Sequence, residues 1–343
     1  MPQNPSSSQI LIALLTLTLY ASIVAAWGWA IARLAAGRTL LPAPSRDVVG
    51  WGGRTVLAVL ATYLVLQVAV IGLYVQLLGV ARPAPGAGLT TTVADRMVEA
   101  LLHPLVFAPG QLVVVTVSLN VMFLAVAPIL LARGSGTKTA DFGFGSGEAG
   151  SDVLRGLMAW PLLAPIVFGV NALATGIWKD RIQRHPLQDW VESAPSTSTL
   201  FLAAFSAVVV APLAEEFLFR SVLLGWLDKL AIGPHEPGGP VAWRKRLGPR
   251  EEVDELEDRP DPAEMTHGSK AGIGFRLFAA NVVVSLLFAA LHGQVWPTPV
   301  PLFFLSLGLG LLYQRTGRLL ASITLHATFN GIATLTLYLS LLG

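Results

Sequence analysis

Cysteine is absent from the 343 residues. That excludes disulfides, thiolate catalysis and cysteine-ligated metal, and it leaves the redox compartment undetermined. Charge is also scarce: Asp, Glu, Lys and Arg make up 13% of the chain, against about 25% in a soluble domain. Hydrophobic residues make up 53%, and they fall in repeated long runs. A soluble domain is thereby excluded, and the pattern predicts an all-α, polytopic membrane protein rather than a barrel. Its first partner is membrane lipid, and the cell membrane is the expected location. No basic patch interleaved with aromatics is present, so no nucleic-acid partner is expected. The opening MPQNPSSSQ has no positive charge before the first apolar run. It lacks the basic start of a secretory signal, and the long run after it reads as a retained anchor.

About eight transmembrane helices are predicted, near 10–34, 55–80, 111–132, 154–178, 198–227, 273–292, 300–314 and 319–341. The segment 92–107 reads as interfacial, and the glycine-rich link 133–153 as flexible. The link 228–272 is the largest polar stretch, with Arg244-Lys245-Arg246 followed by an acidic run from Glu251 to Asp258. Its density of charge predicts a mobile excursion. Lys and Arg concentrate in the links after the first, third, fifth and seventh spans. That places those links in the cytoplasm and both termini outside.

Against this apolar background, Glu215, Glu216 and Arg220 lie inside one span. A charge at the bilayer centre costs at least about 2.5–3.5 kcal/mol on insertion scales, so three of them need a reason. Residues four apart on a helix share a face, so Glu216 and Arg220 can pair, while Glu215 is rotated away and is free to work. Pro212 just upstream removes a backbone bond and can kink or start the helix there. Two further polar sites follow in later spans: His292, four residues after Phe288, and His326, four residues before Asn330.

Together these side chains suit hydrolysis of a peptide bond. A carboxylate in an apolar site serves as a general base near neutral pH, and Glu215 with His292 can hold and deprotonate water. His326 and Asn330 can donate hydrogen bonds to an oxyanion, a contribution of about 2.7–4 kcal/mol per donor. The set Glu215, His292 and His326 also matches the His₂Glu ligands of catalytic zinc, so metal-free and zinc schemes both stand on the sequence. Taken singly, each site has a structural reading: a buried ion pair, an interfacial histidine, an asparagine joining helices. Their convergence in the last third of the chain favours a common site. The span serines Ser206, Ser221, Ser285 and Ser322 lack a nucleophile motif. Two other classes remain open: a non-enzymatic immunity or scaffold protein, and a proton-coupled transporter, for which no inverted repeat is found.

Depth poses a question. Glu215 and His292 lie at similar counts into adjacent antiparallel spans, and straight helices would carry them towards opposite leaflets.

These motifs, Glu215-Glu216 with Arg220, Phe288 with His292, and His326 with Asn330, resemble those of the CAAX prenyl protease and bacteriocin-processing family. The turn from Gly308 to Leu319 resembles that family's turn between its last two core helices. The resemblance covers about 200–341 and implies an all-helical intramembrane hydrolase. Family members cut proteins after a prenylated cysteine, or are tied to bacteriocin maturation and self-immunity. It implies water activation by Glu215 and His292, oxyanion stabilisation by His326 and Asn330, and support from Glu216 and Arg220. The implied substrate is a membrane-associated protein or peptide, with zinc or no metal at all. The chain then divides into N-terminal helices, 1–197, and a catalytic core, 198–343, carrying the insertion 228–272. Ser221 stands where the family often has glycine, and the insertion separates the first two motifs more than usual.

Overall fold

The computed structural model describes residues 7–41, 49–78, 107–137, 142–144, 149–233 and 267–341. Within them the protein is all-α, with nine helices and no strand. They are α1 (Ser7–Ala35), α2 (Gly53–Leu78), α3 (Pro109–Ser135), α4 (Ala149–Ile177), the short α5 (Pro186–Ser193), α6 (Thr197–Ile232), α7 (His267–Leu291), α8 (Pro299–Thr316) and α9 (Leu319–Ser340). Seven of these described helices are long and apolar enough to cross a membrane: α1, α2, α3, α4, α6, α7 and α9. The span expected at 300–314 is the 18-residue α8, which is not among the seven.

Among the described residues, most of the exposed large apolar side chains lie along α1, α2, α4 and α7, as lipid-facing helices require. Polar groups and small residues are turned inward. Asn281 of α7 donates to the Leu307 carbonyl of α8 at 3.0 Å. Gly156 of α4 packs so closely on α9 that a Cβ there would lie 2.6 Å from the Ala321 carbonyl oxygen. Such glycines let helices approach where lipid supplies no hydrophobic drive between them.

α8 and α9 join through a two-residue turn. Gly317 takes a left-handed φ of 63°, and its N–H closes the helix on Tyr313 O at 2.7 Å. The next residue, Arg318, pairs with the fully buried Asp152 of α4, Nε to Oδ2 at 2.7 Å, and Asp152 also holds Arg155 at 2.9 Å. Within the glycine-rich link expected to be flexible, residues 142–144 are pinned. Gly143 O accepts from Leu319 N at 3.0 Å, and the buried Phe142 packs between Trp51 and Phe217. The link drawn at 228–272 is helical through Ile232 and again from His267. Its middle, 234–266, and the interfacial segment up to 106 lie outside the described residues.

α6 is the element that shapes the site. Its 36 residues would reach about 54 Å if straight, well beyond a hydrocarbon core of about 30 Å. Two stretches, Ser206–Val210 and Phe217–Leu224, are wound as π-helix, and the α-turn Ala211–Glu216 lies between them. Wide turns of this kind often mark functional sites. Here one cause is visible. Ala211 N–H reaches back five residues to Ser206 O, and the next residue, Pro212, has no N–H to offer Ala207 O.

Candidate active site

The two adjacent glutamates on α6 have different surroundings. Glu216 is fully buried and faces Arg220, one turn on, with Nε and Oε2 3.2 Å apart. Arg220 is equally buried. It donates to Ser306 Oγ at 3.1 Å, and its guanidinium carbon lies 5.2 Å from the Phe288 ring centre. Glu215 keeps 26% of its side-chain surface accessible, so it is the carboxylate of the two that a substrate can reach.

His326 of α9 lies between them. Its Nδ1 is 2.9 Å from Glu216 Oε1, and its Nε2 is 3.8 Å from Glu215 Oε2. A carboxylate only accepts, so the ring proton sits on Nδ1, and in the neutral imidazole Nε2 carries the lone pair. Glu216 is thus shared: one oxygen faces the arginine, and the other fixes the tautomer of the histidine. The four-residue spacing predicts its pairing with Arg220. The contact with His326, 110 residues away, has no local signature.

Phe288 joins the three motifs. Its ring centre lies 4.8 Å from that of His292, 6.0 Å from His326 and 5.1 Å from Phe219. It thereby connects the end of α7 with α9. His292, the first residue past α7, has Nδ1 2.8 Å from the Phe288 carbonyl oxygen. A carbonyl cannot donate, so here too the proton is on Nδ1 and Nε2 is the free base. The structure therefore gathers Glu215, Glu216, Arg220 and His326 directly, and His292 through Phe288.

Asn330, one turn beyond His326, points at α6. Its Nδ2 donates to Ala207 O at 2.8 Å, which is the carbonyl that Pro212 leaves without a partner. The proline in the span was the available signal for this contact. The bond uses one amide N–H and leaves the other. One residue near the site carries no motif: Ser306, which holds Arg220.

The zinc alternative is not matched by the geometry. Among the described residues no group of three or more His, Cys, Asp or Glu side chains is arranged to hold a metal ion.

On the polar side of His292, the segment after α4 folds against the turn after α7. Gln183 N donates to Trp296 O at 2.8 Å, Trp296 N donates to Gln183 Oε1 at 3.1 Å, and Trp178 meets Trp296 edge-on at 5.0 Å. His185 caps α5, its Nδ1 accepting from Leu187 N at 3.1 Å. Packing around the ring, and then the nearby His292, hold the pKa of His185 below its ordinary value of 6.5.

A polytopic helical membrane protein with a buried carboxylate–histidine centre is the class that fold and site define. Residues 197–332 match the family model described as Type II CAAX prenyl endopeptidase Rce1-like. The matched segment is similar to that family, and it holds every residue of the three motifs. No curated protein and no solved structure matches the chain.

Proposed function

We propose that the protein is an intramembrane endopeptidase that hydrolyses a peptide bond of a membrane-associated protein in the cell membrane. A prenylated substrate follows from the description of the matched family. Glu215 serves as the general base. It takes a proton from water as the water oxygen bonds to the scissile carbonyl carbon, and it returns that proton to the amine nitrogen as the C–N bond breaks. His326 stands beside it with Nδ1 held by Glu216. Protonated from solvent before the attack, it is a cation already faced by a carboxylate, and its Nε2–H donates to the oxyanion and keeps that proton as the carbonyl re-forms. The remaining N–H of Asn330 is a second donor, and Nε2 of His292 helps to hold the water.

The observation that carries this reading is the arrangement around one ring: Glu215 3.8 Å from Nε2 of His326, and Glu216 2.9 Å from Nδ1. The test is cleavage of a prenylated peptide and a panel of unlipidated ones by purified protein. Glu215→Gln and His326→Ala each lower kcat/KM by about 10²–10⁴. Wild-type rates in both variants would overturn the assignment.

A further inference from the structure

We infer that Gln183 is a positioning residue for His292, acting from the segment between α4 and α5. Resting on the reading of His292 as part of the hydrolytic site, the inference starts from what holds that histidine. His292 lies one residue beyond α7, where its N–H bonds back to Ala289 O at 3.0 Å in a tight turn and helix ends fray. The bonds that follow it are internal to its own turn: Val295 N to His292 O at 3.1 Å and Thr298 N to Val295 O at 2.9 Å. They shape the turn between α7 and α8 without fixing it to the segment after α4.

That fixing comes at Trp296. Both its backbone groups are engaged by Gln183, one by the main-chain N–H and one by the side-chain oxygen, and Trp178 closes on its ring. A single glutamine thus makes a two-point clamp across 113 residues of sequence. Its side chain is exposed, so truncating it removes no core packing. The clamp also places His185, two residues on, beside His292. The charged groups facing this pair are Asp189, near His185 on α5, and Arg184, which is itself paired with Asp189 and Glu192.

The experiment uses the full chain in lipid bilayers, as wild type, Gln183→Ala and Gln183→Glu. Alanine lowers kcat by about three- to tenfold, the worth of one neutral hydrogen bond, with KM and Tm close to wild type. Glutamate keeps an oxygen for Trp296 N and restores kcat. Its charge moves the acid limb of the pH profile upward, because a carboxylate favours protonated imidazole, and a merely structural role would not produce that shift. Independently of cleavage, ¹⁵N-histidine spectra report the bonded Nδ1–H of His292, which exchanges faster in Gln183→Ala and is protected again in Gln183→Glu. An unchanged His292 resonance in Gln183→Ala overturns the inference whatever the activity. Cleavage that needs Glu215 and His292 but ignores Gln183→Ala overturns it alone. Cleavage that survives Glu215→Gln overturns the hydrolytic reading instead.

Discussion

Replacing Glu216 by glutamine separates two jobs that one carboxylate performs. In the native protein its oxygens face Arg220 at 3.2 Å and His326 at 2.9 Å, and all three side chains are almost wholly buried. Glutamine keeps the shape but loses the charge. The arginine can only donate, so it claims the single amide oxygen, and the NH₂ group is turned to His326. A donor facing Nδ1 puts the ring proton on Nε2 and removes the carboxylate that faces the protonated ring, so the oxyanion meets a neutral donor in place of a cation. Loss of the orienting carboxylate in a hydrolase triad costs about 10⁴ in kcat, and a fall of about 10²–10⁴ is expected here. The arginine also loses its counterion, and breaking a buried pair from one side costs about 3–5 kcal/mol of stability. The double variant Glu216→Leu/Arg220→Met removes both charges and keeps apolar volume. It should recover stability to within about 1–2 kcal/mol of wild type while remaining inactive, because His326 still lacks its partner. The assays are reversible unfolding in mixed micelles and peptide cleavage on the same preparations. Wild-type kcat in Glu216→Gln, or recovery of activity together with stability in the double variant, would refute the shared-carboxylate reasoning.

Asn330→Leu leaves Ala207 O without a donor and costs about 1–3 kcal/mol. The loss shrinks in a Pro212→Ala background, where residue 212 regains an N–H, and a double-mutant cycle on unfolding free energies measures that coupling. Histidine NMR should place the His185 midpoint below 6.5, and a midpoint at or above that value would contradict the packing around its ring. Because folding favours the neutral ring, the stability from this shift is present above the ordinary pKa and is lost as pH falls through the lowered one. Thorough chelation should leave the cleavage rate unchanged, since the candidate ligands do not converge; a loss reversed by added zinc would contradict that geometry.

Much of the fold could be read from composition, because a helix in lipid must satisfy its own backbone and so appears as one long apolar run. α8 was the harder case. It opens on Pro299 and ends at Gly317, and its 18 residues give it less apolar length than its neighbours. In the site, the pairing of Glu216 with Arg220 was legible because four residues make one helical turn. The second partner of Glu216 was not, since nothing in the spacing from 216 to 326 fixes how α6 meets α9. Phe288 was visible only as a motif letter, and its ring contacts with two histidines depend on where α7 stops. Residue type and position mark Asn330 as an oxyanion donor. Its bond to Ala207 O depends on a π-turn that a helical periodicity count does not reveal.

The pairing within α6 also bears on how the protein is made. Glu216 is synthesised 110 residues before His326, so α6 must enter the membrane long before α9 exists. An isolated arginine at mid-span would meet a penalty of about 2.5–3.5 kcal/mol on insertion scales. Its counterion is one turn away on the same helix, so the pair closes as soon as the segment coils. The nascent helix thus reaches lipid with its arginine already neutralised, and α8 and α9 arrive later at a partly assembled centre.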